Sequence, residues 1–146
     1  EDLIQGKTIQ QVCTDLMMDL KNASPSFRKK PIIVGHNIPF DISFLEMMFK
    51  ICKKDIGTVF ANSNGVISHI DTMQLSKLKW IKEKDMKFNL ESCCNKAGIE
   101  IHDAHNAEND ILATKQLLVY HINTMRANEV VHSELKEDRF RDHFQF

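Results

Sequence analysis

Long apolar runs are missing from this sequence: no stretch of roughly 20 residues is apolar enough to cross a membrane as a helix. Its start lacks the basic-then-apolar pattern of a secretory leader. Both absences point to a soluble chain with no membrane partner, and a cytoplasmic location is expected. An excess of one charge is missing as well. The formal net charge of -1 gives no global attraction to nucleic acid, so any such binding has to come from local basic patches or from metal ions. The four cysteines, Cys13, Cys52, Cys93 and Cys94, show no C-x-x-C spacing, and the adjacent pair is badly placed for a structural bridge. Reduced thiols follow. Internal repeats and low-complexity tracts are also absent. What remains, 146 residues with 42% hydrophobic content and an ordinary charged fraction, suits one globular core.

In "TIQQVCTDLMMDL" the residues Ile9, Val12, Cys13, Leu16, Met17 and Leu20 recur at three- and four-residue steps, the spacing of one helical face. Thr8 and Gln11 have the form of a capping box, each side chain satisfying a backbone N–H at the helix start. The following "KNASPSFRKKP" reads as a basic surface loop. "IIV", Ile32 to Val34, is a β-branched run too short for a helix and predicts a strand buried on both faces of a parallel sheet, ended by Gly35. Past "HNIP", Phe40, Phe44, Leu45, Met48, Phe49 and Cys52 return at helical spacing, with Asp41 in the first turn. "VISHI" before Asp71 predicts a second strand and "TMQLSKLKW" a helix. Asn89 and Gly98 read as the N-cap and the C-terminal stop of a helix over "LESCCNKA".

The last clear helix begins near Ala107 and carries Ile111, Leu118, Ile122 and Met125 on one face. A domain over residues 1–126 is expected, followed by a charged and aromatic tail over 127–146 that serves for docking or frays. Strands alternating with helices indicate an α/β domain, whose sites favour the carboxyl ends of parallel strands.

"VGHNIPFD" brings His36, Asn37 and Asp41 to such a strand end, and "DAHNAEND" places His105 five residues before Asp110. Taken singly, each has an ordinary explanation. Either carboxylate complements a helix dipole from the first turn, worth ~0.3–1 kcal/mol, and His105 is a solvated loop histidine. Together, two first-turn carboxylates and a neighbouring histidine supply oxygen ligands for Mg²⁺ or Mn²⁺ and a base for activating water. Phosphodiester hydrolysis needs both functions. Two other groupings carry less. Lys77, Lys79, Lys82, Lys84 and Lys87 around Trp80 are more commonly a solvated face than a phosphate track. Cys93, Cys94, His102 and His105 match no usual zinc spacing.

"VGHNIPFD", taken with "HIDTMQL", "NLESCCNKAGI" and "HNAENDILATKQLL", resembles the DnaQ-like 3′–5′ exonucleases of the DEDD class, histidine subtype, a family that includes the epsilon proofreading subunit of bacterial replicative polymerase. The resemblance runs from about Thr8 to Met125. Gly35, His36, Asn37, Phe40 and Asp41 meet the form G-H-N-x-x-F-D, and His105, Ala107 and Asp110 meet H-x-A-x-x-D. Asn106 stands where other members carry tyrosine, so the histidine subtype is the match.

The resemblance implies an α/β fold of the ribonuclease H-like kind, a mixed sheet with flanking helices. It implies two divalent ions, Mg²⁺ or Mn²⁺, with Asp110 and Asp41 as metal ligands and His105 as general base. His36 and Asn37 would line the site beside the terminal nucleotide of a DNA or RNA 3′ end, and Phe40 and Ala107 would be packing residues. His102 has no aspartate at the required distance. The family's first motif, Asp-x-Glu on an early strand, occurs nowhere in this sequence. Those carboxylates, with the first antiparallel strands, are expected in a missing N-terminal segment of a longer exonuclease or on another polypeptide, and the resemblance separately implies a DNA polymerase as a partner. Residues 1–146 alone are expected to be inactive. The alternative is a catalytically inactive nucleic-acid-binding or polymerase-docking module of the same fold.

Overall fold

The computed structural model describes residues 6–23, 30–101 and 106–134, with side chains through 127. Its elements run α1 (Ile9–Ala23), β1 (Ile33–Gly35), α2 (Ile38–Ile51), α3 (Gly57–Phe60), β2 (His69–Asp71), α4 (Thr72–Lys79), α5 (Leu90–Ala97) and α6 (Ala107–Glu134). Helices with a small parallel sheet make this an α/β protein, as expected. The chain forms two compact units, Glu1–Thr72 and Met73–Phe146.

In the first unit β1 and β2 pair in parallel, with Ile33 opposite His69, Val34 opposite Ile70 and Gly35 opposite Asp71. The core of the unit gathers Cys13 of α1, Phe49 of α2, and Val59 and Phe60 of α3, with Leu16, Met17, Leu20 and Ile33 packed against it. The Phe49 and Phe60 rings meet edge to face at 6.2 Å, a favoured aromatic geometry. β1 does not bury both faces: Ile33 points at this core, whereas Ile32 is 55% and Val34 38% exposed. Alternation of side chains along a strand sends these two to the opposite side.

Local chemistry sets the boundaries. Gln11 accepts from the Thr8 N–H at 2.7 Å and Thr8 Oγ1 accepts from the Gln11 N–H at 3.3 Å, so α1 opens on the expected capping box. At the end of α2, Lys53 takes a left-handed conformation (φ 52°), Lys53 N donates to Lys50 O and Lys54 N to Phe49 O, the paired bonds of a Schellman stop. α3 was not anticipated, because four residues show no period; Asp55 Oδ1 receives the Gly57 N–H at 2.9 Å and seeds it.

The second unit is built on Trp80, Cys93, Cys94, Ala113 and Leu117. Asn89 Oδ1 caps α5 through the Ser92 N–H at 2.9 Å, and Gly98 ends it at φ 72°, as the sequence led us to expect. The face of α6 is a correction. Its fully buried positions are Ala113, Leu117 and His121, whereas Ile111 is 69% and Met125 48% exposed and Leu118 and Ile122 are half-buried. His121 is admitted because Ser76 Oγ lies 3.0 Å from its Nε2, so a buried polar ring has a hydrogen-bonding partner. α6 also runs on to Glu134, past Arg126, since the polar residues that follow are compatible with a helix.

Candidate active site

The carboxyl ends of β1 and β2 lie side by side in the first unit, and four polar residues meet there. Asp71 ends β2 and its Oδ1 accepts the Asn37 backbone N–H at 3.0 Å. Thr72 is fully buried; its hydroxyl donates to Gly35 O at 3.1 Å and lies 3.0 Å from His36 Nδ1. A hydroxyl has one proton to give. With that proton on Gly35 O, His36 carries its own on Nδ1, and Nε2 is the acceptor nitrogen.

Asn37 sits in the left-handed region, φ 66° and ψ 46°, before α2 begins, a conformation asparagine tolerates better than most residues. Pro39 follows in the first turn, where a missing N–H costs nothing. This tight reversal leaves Asp41 exposed in the first turn of α2 and turns its carboxylate back over the strand end. A Cβ built on Gly35 would lie 3.3 Å from Asp41 Oδ2. A side chain at 35 would therefore press on that carboxylate as well as on Ile38.

Phe40 corrects one expectation: it is not a packing residue. It is 62% exposed beside Asp41, and its ring meets Phe44 (51% exposed) at a centroid distance of 4.8 Å. Ala107 is exposed too. The structure thus brings together His36, Asn37 and Asp41, and adds Asp71 and Thr72. Sequence reasoning gave Thr72 no role at the site and held Asp71 only as a substitute carboxylate, although "HIDT" ends a second strand in the manner that "VGHN" ends the first.

The second unit holds Asp110, half-buried in the first turn of α6. Asn106 caps this helix, its Oδ1 accepting the Glu108 N–H at 3.0 Å and its carbonyl the Asp110 N–H at 2.9 Å. Asp110 is close enough to Cys94 to act on its thiol, which burial first and the Cys93 and Asp110 charges next push up to about 11. His105 and His102 lie outside the described residues. Of the lysines near Trp80, Lys79 donates to Thr124 Oγ1 at 2.9 Å and covers the Tyr120 ring, while Lys82, Lys84 and Lys87 are exposed.

Asp41 and Asp110 are hard oxygen donors, the kind Mg²⁺ and Mn²⁺ take. Among the described residues no group of three or more His, Cys, Asp or Glu side chains is arranged to hold a metal ion, so these two fit the ions in kind but not in number. No helix among the described residues is long and apolar enough to cross a membrane.

Known proteins resemble this chain over most of its length. Residues 2–121 match the family described as DNA polymerase III subunit epsilon-like, C-terminal domain, of the DEDDh type. The chain is 26% identical over 119 residues to a protein named 3′-5′ exonuclease DinG from Staphylococcus saprophyticus, an alignment covering 75% of this chain and 12% of that protein. It is 22% identical over 153 aligned positions to the 3′-5′ exonuclease DinG of Staphylococcus epidermidis, covering 99% of this chain and 15% of the relative. The namesake from Staphylococcus aureus strain USA300 is 29% identical over 91 residues, 62% of this chain and 9% of the relative. The chain therefore spans a small part of the length of the curated relatives it matches. With the family match covering most of its residues, this chain belongs to the DnaQ-like 3′–5′ exonucleases of the DEDDh type, the DNA polymerase III subunit epsilon-like group.

Proposed function

We propose that this chain supplies the later motifs of a 3′–5′ exonuclease site that removes nucleotides from a DNA or RNA 3′ end. One observation carries the reading: within a chain matched to this family over residues 2–121, the Asp41 carboxylate lies exposed in the first turn of α2, beside the end of β1 at Gly35 and the Asp71-braced turn. Asp41 and Asp110 would hold Mg²⁺ or Mn²⁺, with further carboxylates supplied by the Asp-x-Glu motif that this sequence lacks. When bound, such ions neutralise charge at the scissile phosphate. His105 takes the proton from the attacking water. His36 and Asn37 line the nucleotide position, and the exposed Phe40 ring offers a base a stacking surface that any of the four bases can use. A ribonuclease H-like sheet, a proofreading role beside a DNA polymerase and a cytoplasmic location belong to the same reading, as does a domain spanning residues 1–126 with a tail over 127–146.

Mn²⁺ titration and single-turnover cleavage of a 3′-labelled oligonucleotide test it on the complete protein. Asp110→Asn weakens Mn²⁺ binding strongly, and His105→Ala slows cleavage by ~10²–10⁴-fold, while His102→Ala changes little. Residues 1–146 alone give background cleavage. Unchanged Mn²⁺ affinity in Asp110→Asn, or equal losses at the two histidines, would overturn the assignment.

A further inference from the structure

Two thiols that the site does not use meet in the core of the first unit. Cys13 is 2% exposed on α1, and Cys52, half-buried, is the C-cap of α2. The Cys52 thiol lies 3.7 Å from Ile9 O, which it can reach as a donor. That carbonyl is one helical turn before Cys13, the turn whose oxygen the Cys13 N–H uses. Cys52 packs against the core cluster that holds Cys13, and both cysteines are free. Two thiols from distant parts of the chain thus share one core cluster, the Cys52 sulfur within reach of the helical turn that carries Cys13.

We propose that Cys13 and Cys52 are a modification site: a pair that peroxide converts to a reversible disulfide tying α1 to the end of α2. Exposure sets the order of events. Cys52 is reachable and is followed by the exposed Lys53 and Lys54, whereas Cys13 is sealed in the core and burial keeps its thiol protonated above its ordinary range. The Cys52 thiolate attacks one peroxide oxygen, the O–O bond breaks and hydroxide leaves, giving a sulfenic acid. Cys13 sulfur then attacks Cys52 sulfur and the S–O bond breaks. The hydroxyl leaves as water with the Cys13 proton. Overall, two thiols and one hydrogen peroxide give one disulfide and two waters.

Cys93 and Cys94 provide an internal contrast. Both are 0% exposed, and neighbouring residues meet disulfide geometry only with strain. The staple would enclose β1 and the turn to Asp41, and closing so long a segment stabilises the folded state by restricting the unfolded one.

The protein is incubated with excess hydrogen peroxide, alkylated and digested without reductant, and its peptides are weighed. The expected result is a Cys13–Cys52 cross-linked peptide, a loss of two titratable thiols and a Tm raised by several degrees, all reversed by dithiothreitol. In Cys13→Ser, dimedone should label Cys52, because no resolving thiol remains. Oxidation that runs to sulfinic acid at Cys52 with Cys13 still reduced, a Cys93–Cys94 bond in place of the cross-link, or four unchanged thiols would each overturn the proposal.

Discussion

Replacing Gly35 with alanine tests whether the end of β1 seats Asp41. The new methyl would overlap Ile38 Cδ1 and lie 3.3 Å from both Ile38 Cβ and Asp41 Oδ2. Ile38 is 1% exposed, so its methyl group has no open space to swing into. Overpacking of this kind costs about 1–3 kcal/mol, while the lower chain entropy of alanine in the unfolded state returns about 0.4–1 kcal/mol. A net destabilisation of roughly 1–2 kcal/mol follows from these two ranges. Ile38→Val removes the colliding methyl and by itself costs about 0.5–1.5 kcal/mol. Because both changes act on one contact, the double variant should lie well above the sum of the single losses, with a coupling of at least about 0.5 kcal/mol. Urea unfolding of the four proteins measures this cycle, and Mn²⁺ titration measures whether Gly35→Ala, but not Ile38→Val, also weakens metal binding at the proposed site. Additive losses, or an alanine variant as stable as the parent, would refute the packing argument.

Three further outcomes are expected. Asp71→Ala removes the acceptor of the Asn37 N–H and should destabilise the first unit by about 1.5–3 kcal/mol in urea, with Asp71→Asn recovering most of the loss because a side-chain oxygen remains. Leu117, 0% exposed in the second core, should cost about 2–5 kcal/mol when cut to alanine, read from the same unfolding curves. The Cys94 thiol titrates near 9.0 in the unfolded chain and at about 11 in the folded one. Its stability contribution is whole below the first value and is lost as pH rises toward the second, and Cys94→Ala should flatten that part of a stability profile measured across alkaline pH.

Where a feature depends on its own neighbours in the chain, the sequence alone was enough. Thr8 and Gln11, Asn89 and Gly98 were placed correctly because a cap is a bond between residues three or four apart. "IIV" and "VISHI" were recognisable as strands, yet the exposure of Val34 was not, since it depends on what packs against each face. The face of α6 was misread for a related reason. Hydrophobicity favours Ile111 and Met125, but the core takes Ala113 for its small size and His121 because Ser76, 45 positions away, bonds to it. Phe40 shows the same limit, for an apolar residue on a helix is as well suited to a ligand surface as to a core. Within the candidate site, His36, Asn37 and Asp41 were legible from one continuous motif. The supporting part of Asp71 and Thr72 was not, because it exists only once two separated strands have paired.

The bond from the Asn37 N–H to Asp71 joins residues 34 apart and depends on a ladder that, among the described residues, pairs two strands of three residues each. So small a ladder can part without dissolving the helices beside it, since proteins open in local pieces whose free energies lie below that of global unfolding. When β2 pulls away, Asn37 loses the acceptor that holds its left-handed turn and Asp41 is free to wander on an intact α2. Such an opening would separate the placing of Asp41 from folding. Deuterium uptake at the Asn37 amide, faster than at Phe49 in the middle of the same unit's core, would report the fraction of molecules that are folded with this ladder open.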